Sequence, residues 1–178
     1  YANIFIMGKI FSLLATVVFL FTASFSVQAN ELEAQFNKGI ELINREDYDA
    51  AFDIFSELAS QGLVPAIHYV GLFHKEGVGT PKKLKKAQEF FEKAASEGYP
   101  PSAYALAIMY FEGDISVTEK ETQEKTVYWL RRGAELGDPD SQGMLGKVYG
   151  LINPAVEDAL PKDDILSYMW LTVAVENG

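Results

Sequence analysis

Two apolar patterns of helical period fill the stretch from Pro65 to Gly98, on either side of the break Gly77-Val78-Gly79-Thr80-Pro81. In the second pattern Ala87, Phe90, Phe91, Ala94 and Ala95 recur at the three-and-four spacing that gathers side chains on one helix face, and Gly98 ends it. In the first, Ile67, Val70, Gly71 and His74 fall on one stripe, with Gly71 where two backbones must approach closely. The stretch therefore predicts helix, loop, helix. A single hairpin of this kind leaves both apolar stripes wet, so it makes sense only as one of a stack.

Laid against itself, the chain shows the rest of that stack. Pro101 to Gly113 matches Pro65 to Gly77 at an offset of 36, which brings Gly71 onto Ala107 and Gly77 onto Gly113. Ala87, Phe91, Ala95 and Gly98 recur as Thr126, Leu130, Ala134 and Gly137 at an offset of 39, so three extra residues are expected in the intervening loop. Upstream, Ala51, Phe55, Ala59 and Gly62 precede the same set by 36, and Gly39 stands where Gly71 does. Downstream, Gly146 and Tyr149 continue the first helix, and Trp170, Leu171 and Gly178 the second. Helices keep their pattern while turns vary in length, as expected when packing fixes the helices.

The set Ala66, Val70-Gly71, Gly77-Val78-Gly79, Lys86-Ala87, Phe90-Phe91, Ala94-Ala95 and Gly98 resembles the Sel1-like repeat, a relative of the tetratricopeptide repeat. The likeness runs from about Glu31 to Gly178, in units of about 31–64, 65–100, 101–139 and 140–178, the first closer to a plain tetratricopeptide repeat. Departures are Lys83, where the family often has an acid, and the lack of a second Gly-Val-Gly after Gly113. The resemblance implies an all-α, right-handed α-solenoid that assembles other proteins. On that resemblance the chain is expected to be an adaptor or scaffold and not an enzyme.

Ahead of the repeats, Met7-Gly8-Lys9 precedes an apolar run from Ile10 to Phe25 and the exit Ser26-Val27-Gln28-Ala29. A short basic start, an apolar run near signal length and small residues at Val27 and Ala29 predict a secretory signal cut after Ala29. The run falls short of the ~20 residues a bilayer span needs. An uncleaved N-terminal anchor is the alternative; with cleavage the mature chain has no membrane span. Residues 1–6 read as an extension upstream of a start at Met7. The expected location is the bacterial periplasm or the exterior. At the other end Trp170, Leu171, Ala174 and Val175 have no polar capping helix after them, so the sequence predicts continuation or self-association there.

Charge narrows the partners. Formal net charge is −10, and loss of residues 1–29 removes one base, Lys9, and no acid. Nucleic acid is an unfavourable partner for such a chain. The one basic cluster, Lys82-Lys83-Leu84-Lys85-Lys86, reads as a solvated helix start, with a phosphate or acidic contact as its alternative. There is no cysteine, hence no disulfide, thiol nucleophile or thiolate metal site.

Chemistry is sparse. The two histidines, His68 and His74, lie six apart on one predicted helix, about 240° round, and do not face a common metal. No Gly-x-Ser-x-Gly, His-Glu-x-x-His or phosphate-cradling loop occurs. The reading is of no catalytic residue, no cofactor and no metal. The enzyme alternative, a hydrolase of cell-wall or β-lactam substrates, requires an acid at catalytic distance from His68.

By analogy with the repeats it resembles, the chain would bind a protein or peptide in a groove lined by first helices. The groove positions are then Phe36, Ile40 and Ile43; His68, Leu72 and Lys75; Tyr104, Ile108 and Phe111; Gly143, Lys147 and Gly150. Tyr104 and Phe111 would be anchors, Lys75 and Lys147 the rim. If the helix phase is shifted by one residue, part of this stripe is core instead.

Overall fold

A computed structural model describes residues 28–151. Within them the chain is a run of helices: α1 (28–44), α2 (Tyr48–Ser60), α3 (Val64–Glu76), α4 (Leu84–Ser96), α5 (Pro100–Phe111), α6 (Glu119–Glu135) and α7 (Pro139–Leu151). From α2 on, each helix packs on the next, and α5 also reaches α7. This is the right-handed α-solenoid of helical hairpins that the repeat pattern predicts. The expected signal segment and the apolar end from Trp170 onward lie outside the described residues.

The passage from one hairpin to the next is the same turn three times over. Gly62, Gly98 and Gly137 take φ of 85°, 85° and 86°, a conformation that costs a residue without Cβ little. Behind each, an amide closes back over the helix end: Leu63 donates to the Leu58 carbonyl, Tyr99 to Ala94 and Asp138 to Gly133, at 3.0, 3.0 and 3.1 Å. Prolines then sit in the first turns of α3 and α5, where a missing N–H is harmless.

The turns inside hairpins correct one expectation. The three extra residues of the third unit do not enlarge its loop, since residues 77–83 and 112–118 form connections of equal length. They lengthen the helix instead: α6 has 17 residues against 13 in α4. The cause is local. The Thr118 side chain accepts from the Glu121 amide at 3.3 Å, while the Glu121 carboxylate accepts from the Thr118 amide at 3.1 Å. That reciprocal cap starts α6 ahead of its packing stripe at Thr126.

Within hairpins, a large side chain of the second helix rests on a small residue of the first. A Cβ added to Gly39 would come within 2.7 Å of the Phe55 ring, and one on Gly71 within 2.6 Å of the Phe91 ring. In the third hairpin the pair is Ala107 and Leu130, both fully buried in one cluster. A methyl gained on one side is matched by a smaller knob on the other, which keeps the helices at packing distance.

The core is correspondingly serial. One cluster joins Phe55 and Leu58 to Ile67, Val70 and Ala94; a second joins Phe91 to Leu106 and Met109; a third joins Ala107 and Leu130 to Leu145 and Val148. Each reaches from one hairpin into the next. One polar bond lies in this seam: His68 Nδ1 and Ser102 Oγ are 2.9 Å apart, with His68 8% and Ser102 0% exposed. Phe91 and Tyr99 lie against the imidazole. Burial lowers its pKa from 6.5 to about 4, so the ring is neutral at pH 7.

Two stability experiments follow from this packing. Gly71→Ala gains about 1 kcal/mol of helix propensity and loses more to overpacking, for a net cost of about 1–2 kcal/mol. Adding Phe91→Leu, which recreates the third hairpin's pair, is expected to cost at least ~0.5 kcal/mol less than the sum of the single changes in urea unfolding. Strict additivity would refute the matched-pair account.

For the seam, the unfolded chain binds more protons than the folded one between pH 6.5 and about 4, so stability falls as pH drops through that window, by up to about 3 kcal/mol. His68→Leu strands the Ser102 hydroxyl and costs about 1–3 kcal/mol at pH 7, which Ser102→Ala partly restores. The double variant is expected to show a shallower loss between pH 7 and 4.5, and an unchanged slope would contradict the assignment.

Candidate functional site

The residues expected to line a groove on the first helices separate into three groups. Phe36 and Ile40 pack against the first core cluster, and Phe36 meets Phe55 and Tyr69 edge-on, with ring centroids 5.4 and 5.6 Å apart. His68 is closed into the seam between hairpins. Tyr104 is half-buried against the cluster of Ala107, Leu130 and Leu145. Burial raises the Tyr104 pKa first, and the charges of Asp140, Asp138 and Glu112 raise it further.

A second group shapes an open cleft. Ile43 from α1 and Leu72 from α3 come together with Tyr69, Phe73 and Val78 around a hollow of about 180 Å³, with Glu76 among its walls. Val78, from the loop that opens with Gly77, is exposed. Lys75 stands near by, 18% exposed, its Nζ 3.6 Å from the Glu76 carboxylate and 3.5 Å from that of Glu112 at the end of α5. It thereby bridges two hairpins instead of projecting freely. Leu72 also touches the cluster of the next hairpin.

The third group is open to solvent. Phe111 is 52% exposed at the end of α5, Ile108 is half-buried one turn before it, and Lys147 is exposed on α7. Gly143 is half-buried, and Gly150 lies where surroundings are not described.

The sequence reading missed Tyr69 and Val78 as cleft walls. It also missed a larger hollow of about 400 Å³ on the other flank of α3, between α2 and α4. Its sequence signal is the stripe Lys86, Phe90, Lys93, one face of a helix at spacings of four and three.

A serine on a histidine is also the first half of a nucleophilic pair. Here Ser102 is fully buried under packed rings, so a carbonyl carbon has no approach to its hydroxyl. Among the described residues no group of three or more His and acidic side chains is placed to hold a metal ion, and no helix is long and apolar enough to cross a membrane.

Comparison with known proteins agrees with this architecture. The family model for the Sel1 repeat matches residues 64–99, 100–138 and 139–178. DAP3-binding cell death enhancer 1 of Mus musculus is 32% identical over 140 residues, which is 79% of this chain and 26% of the mouse protein. An exopolysaccharide production negative regulator of Rhizobium leguminosarum bv. viciae is 25% identical over 145 residues, 68% of this chain and 53% of that one. The chain thus spans about a quarter to a half of the length of these relatives.

Among solved structures, c5321, a protective antigen of uropathogenic Escherichia coli displaying an SLR fold, superposes with a TM-score of 0.70 at 28% identity, over 86% of this chain and 32% of its own. A Sel1 repeat protein from Oxalobacter formigenes gives 0.70 at 21% identity, over 83% and 58%, and bears on fold alone. With three matched repeats covering more than half its length, the chain belongs to the Sel1 repeat family.

Proposed function

We propose that this chain is an exported, non-enzymatic adaptor that holds a protein or peptide partner on the face made by its first helices. Sel1 repeat proteins generally mediate protein–protein interaction, and relatives named for binding DAP3 or for regulating exopolysaccharide production accord with that role. The carrying observation is the apolar cleft of Ile43, Tyr69, Leu72, Phe73 and Val78 between α1 and α3, together with a half-exposed Phe111 at the end of the next first helix, α5.

Such a surface suits a partner segment with apolar side chains, one entering the cleft and others lying along Ile108 and Phe111. Phe111 is the anchor in this reading, and Tyr104 supports it from below. Lys147 meets acidic groups at the rim, while Lys75 sets the angle between two hairpins through Glu112. Phe36, Ile40, His68 and Leu72 contribute by shaping the face. The partner is a protein and not a nucleic acid, in keeping with the net charge of −10. Export rests on the basic start, apolar run and small-residue exit before Asn30.

A photo-crosslinking side chain at position 111 tests the face. Tyr128 on α6 is the control, because it is equally exposed at 52%. Adducts are expected from position 111 and absent from 128; equal adducts, or none from 111, would remove the assignment. Phe111→Ser is expected to leave stability within about 0.5 kcal/mol while lowering adduct yield from a probe at Ile108 several-fold. Export is checked separately: N-terminal sequencing of the protein recovered from an expressing Gram-negative cell is expected to begin at Asn30, and an intact N-terminus would overturn the cleaved-signal reading.

A further inference from the structure

The larger hollow, between α2 and α4, is built differently from the partner face. Its floor is Phe52, Ile67, Val70 and Phe90, and its two charged residues are Lys86 and Lys93. No carboxylate lines it, in a chain with 25 acidic and 15 basic residues. At about 400 Å³ it has the size of a small-molecule site.

Two of the residues that line it each carry a polar atom, sealed from the space itself, that lacks a partner. Ser56 Oγ and His74 Nδ1 are both buried and make no hydrogen bond. His74 is only 5% exposed and lines the hollow, held between Phe52, edge-on at 5.6 Å, and Phe90, stacked at 5.7 Å. Leaving two such atoms dry and unpaired costs stability unless something pairs them. Burial lowers the His74 pKa, the Pro81 carbonyl raises it by accepting from the ring, and Lys86 and Lys83 lower it again. The neutral ring, with one nitrogen serving Pro81, offers Nδ1 as a bare acceptor.

The lysines themselves are oddly placed. Lys83 is the N-cap of α4 and makes no side-chain cap, Lys85 and Lys86 follow in the first turn, and no acid stands there. Cations at the positive end of a helix are electrostatically unfavourable, so helix stability does not explain them. An anion at the mouth of the hollow does.

We propose that this hollow binds a small organic acid with an apolar body and a hydrogen-bond donor beside its carboxylate, as in an α-hydroxy or N-acyl amino acid. On binding, Ser56 and His74 turn their buried polar atoms toward the ligand, and the carboxylate lies between Lys86 and Lys93 and accepts from the Ser56 hydroxyl. The neighbouring O–H or N–H donates to His74 Nδ1. The apolar body rests on Phe52 and Phe90. This goes beyond the adaptor reading and does not depend on it, since the hollow uses the Ile67, Val70 and His74 stripe of α3 and the partner cleft uses Tyr69, Leu72 and Phe73.

The test is a titration of the full chain with 3-phenyllactate, followed by amide shifts at Ser56, Val70 and His74. Saturable shifts are expected. N-acetylphenylalanine distinguishes an acylamino acid from a hydroxy acid as the preferred donor, and saturable binding of either supports the site. Phenyllactamide, which lacks the charge, and 3-phenylpropionate, which lacks the donor, are each expected to bind at least ten-fold more weakly. Lys86→Gln/Lys93→Gln, at two exposed positions that leave the fold intact, is expected to weaken 3-phenyllactate ten-fold or more. Absence of saturable shifts with both acids, equal binding of the amide, or wild-type affinity in the double lysine variant would overturn the site. Equal binding of 3-phenylpropionate would overturn the role given to His74.

Discussion

A ring seated on a residue that has no side chain sets the geometry of this protein. Phe55 occupies the space over Gly39, and Phe91 that over Gly71. Two helices brought that close exclude water from the seam between them, and the aromatic knob adds a large apolar area to what they bury. The third hairpin has Ala107 and Leu130 at the matching positions, both fully buried, so what persists along the chain is a combined volume and not a residue type. Once that distance is fixed, the three-residue turns at Gly62, Gly98 and Gly137 repeat the rotation from hairpin to hairpin. A solenoid is the result of applying one step several times.

A core built in series has a consequence that a single round core does not. The first helices α3 and α5 are each covered on two sides, by their own second helix and by the second helix of the preceding hairpin, and remain partly open on others. On α3 the stripe of Ile67, Val70 and His74 meets the lysine-bearing hollow, while Tyr69, Leu72 and Phe73 border the apolar cleft. At 3.6 residues per turn these stripes lie well apart round the helix. One element thus serves two surfaces with unlike chemistry, and either can change without disturbing the other.

The fold was legible because its rule is periodic. Of Ala87, Phe90, Phe91, Ala94 and Ala95, set on one face by spacing alone, all but the half-buried Phe90 are buried, as are Ile67, Val70, Gly71 and His74. What spacing did not convey was the competition at element ends. The extra residues before Thr126 went into α6 because Thr118 and Glu121 cap each other, and a cap of two residues outweighs any inference from offsets. The candidate face was legible only in part, since periodicity tells which side of a helix a residue takes but not what the next hairpin lays over it. His68 and Phe111 are both groove positions by spacing, yet one is covered by Phe91 and Tyr99 and the other is open. Pairing of His68 with Ser102, 34 residues away, depends on stacking two hairpins and leaves no local trace.

Polar groups mark where packing and function part company. In the seam, Ser102 and His68 satisfy each other, and the imidazole is kept neutral by burial; that is what a structural polar pair requires. At the hollow between α2 and α4, Ser56 and His74 carry the same chemical groups, and there Ser56 Oγ and His74 Nδ1 find no partner. Both histidines belong to α3 and both are wrapped in aromatic rings, so burial by itself does not separate them. What separates them is that one histidine has its complement inside the protein, whereas the other has lysines beside it and space in front. Of the two, only the second is arranged to receive something from outside.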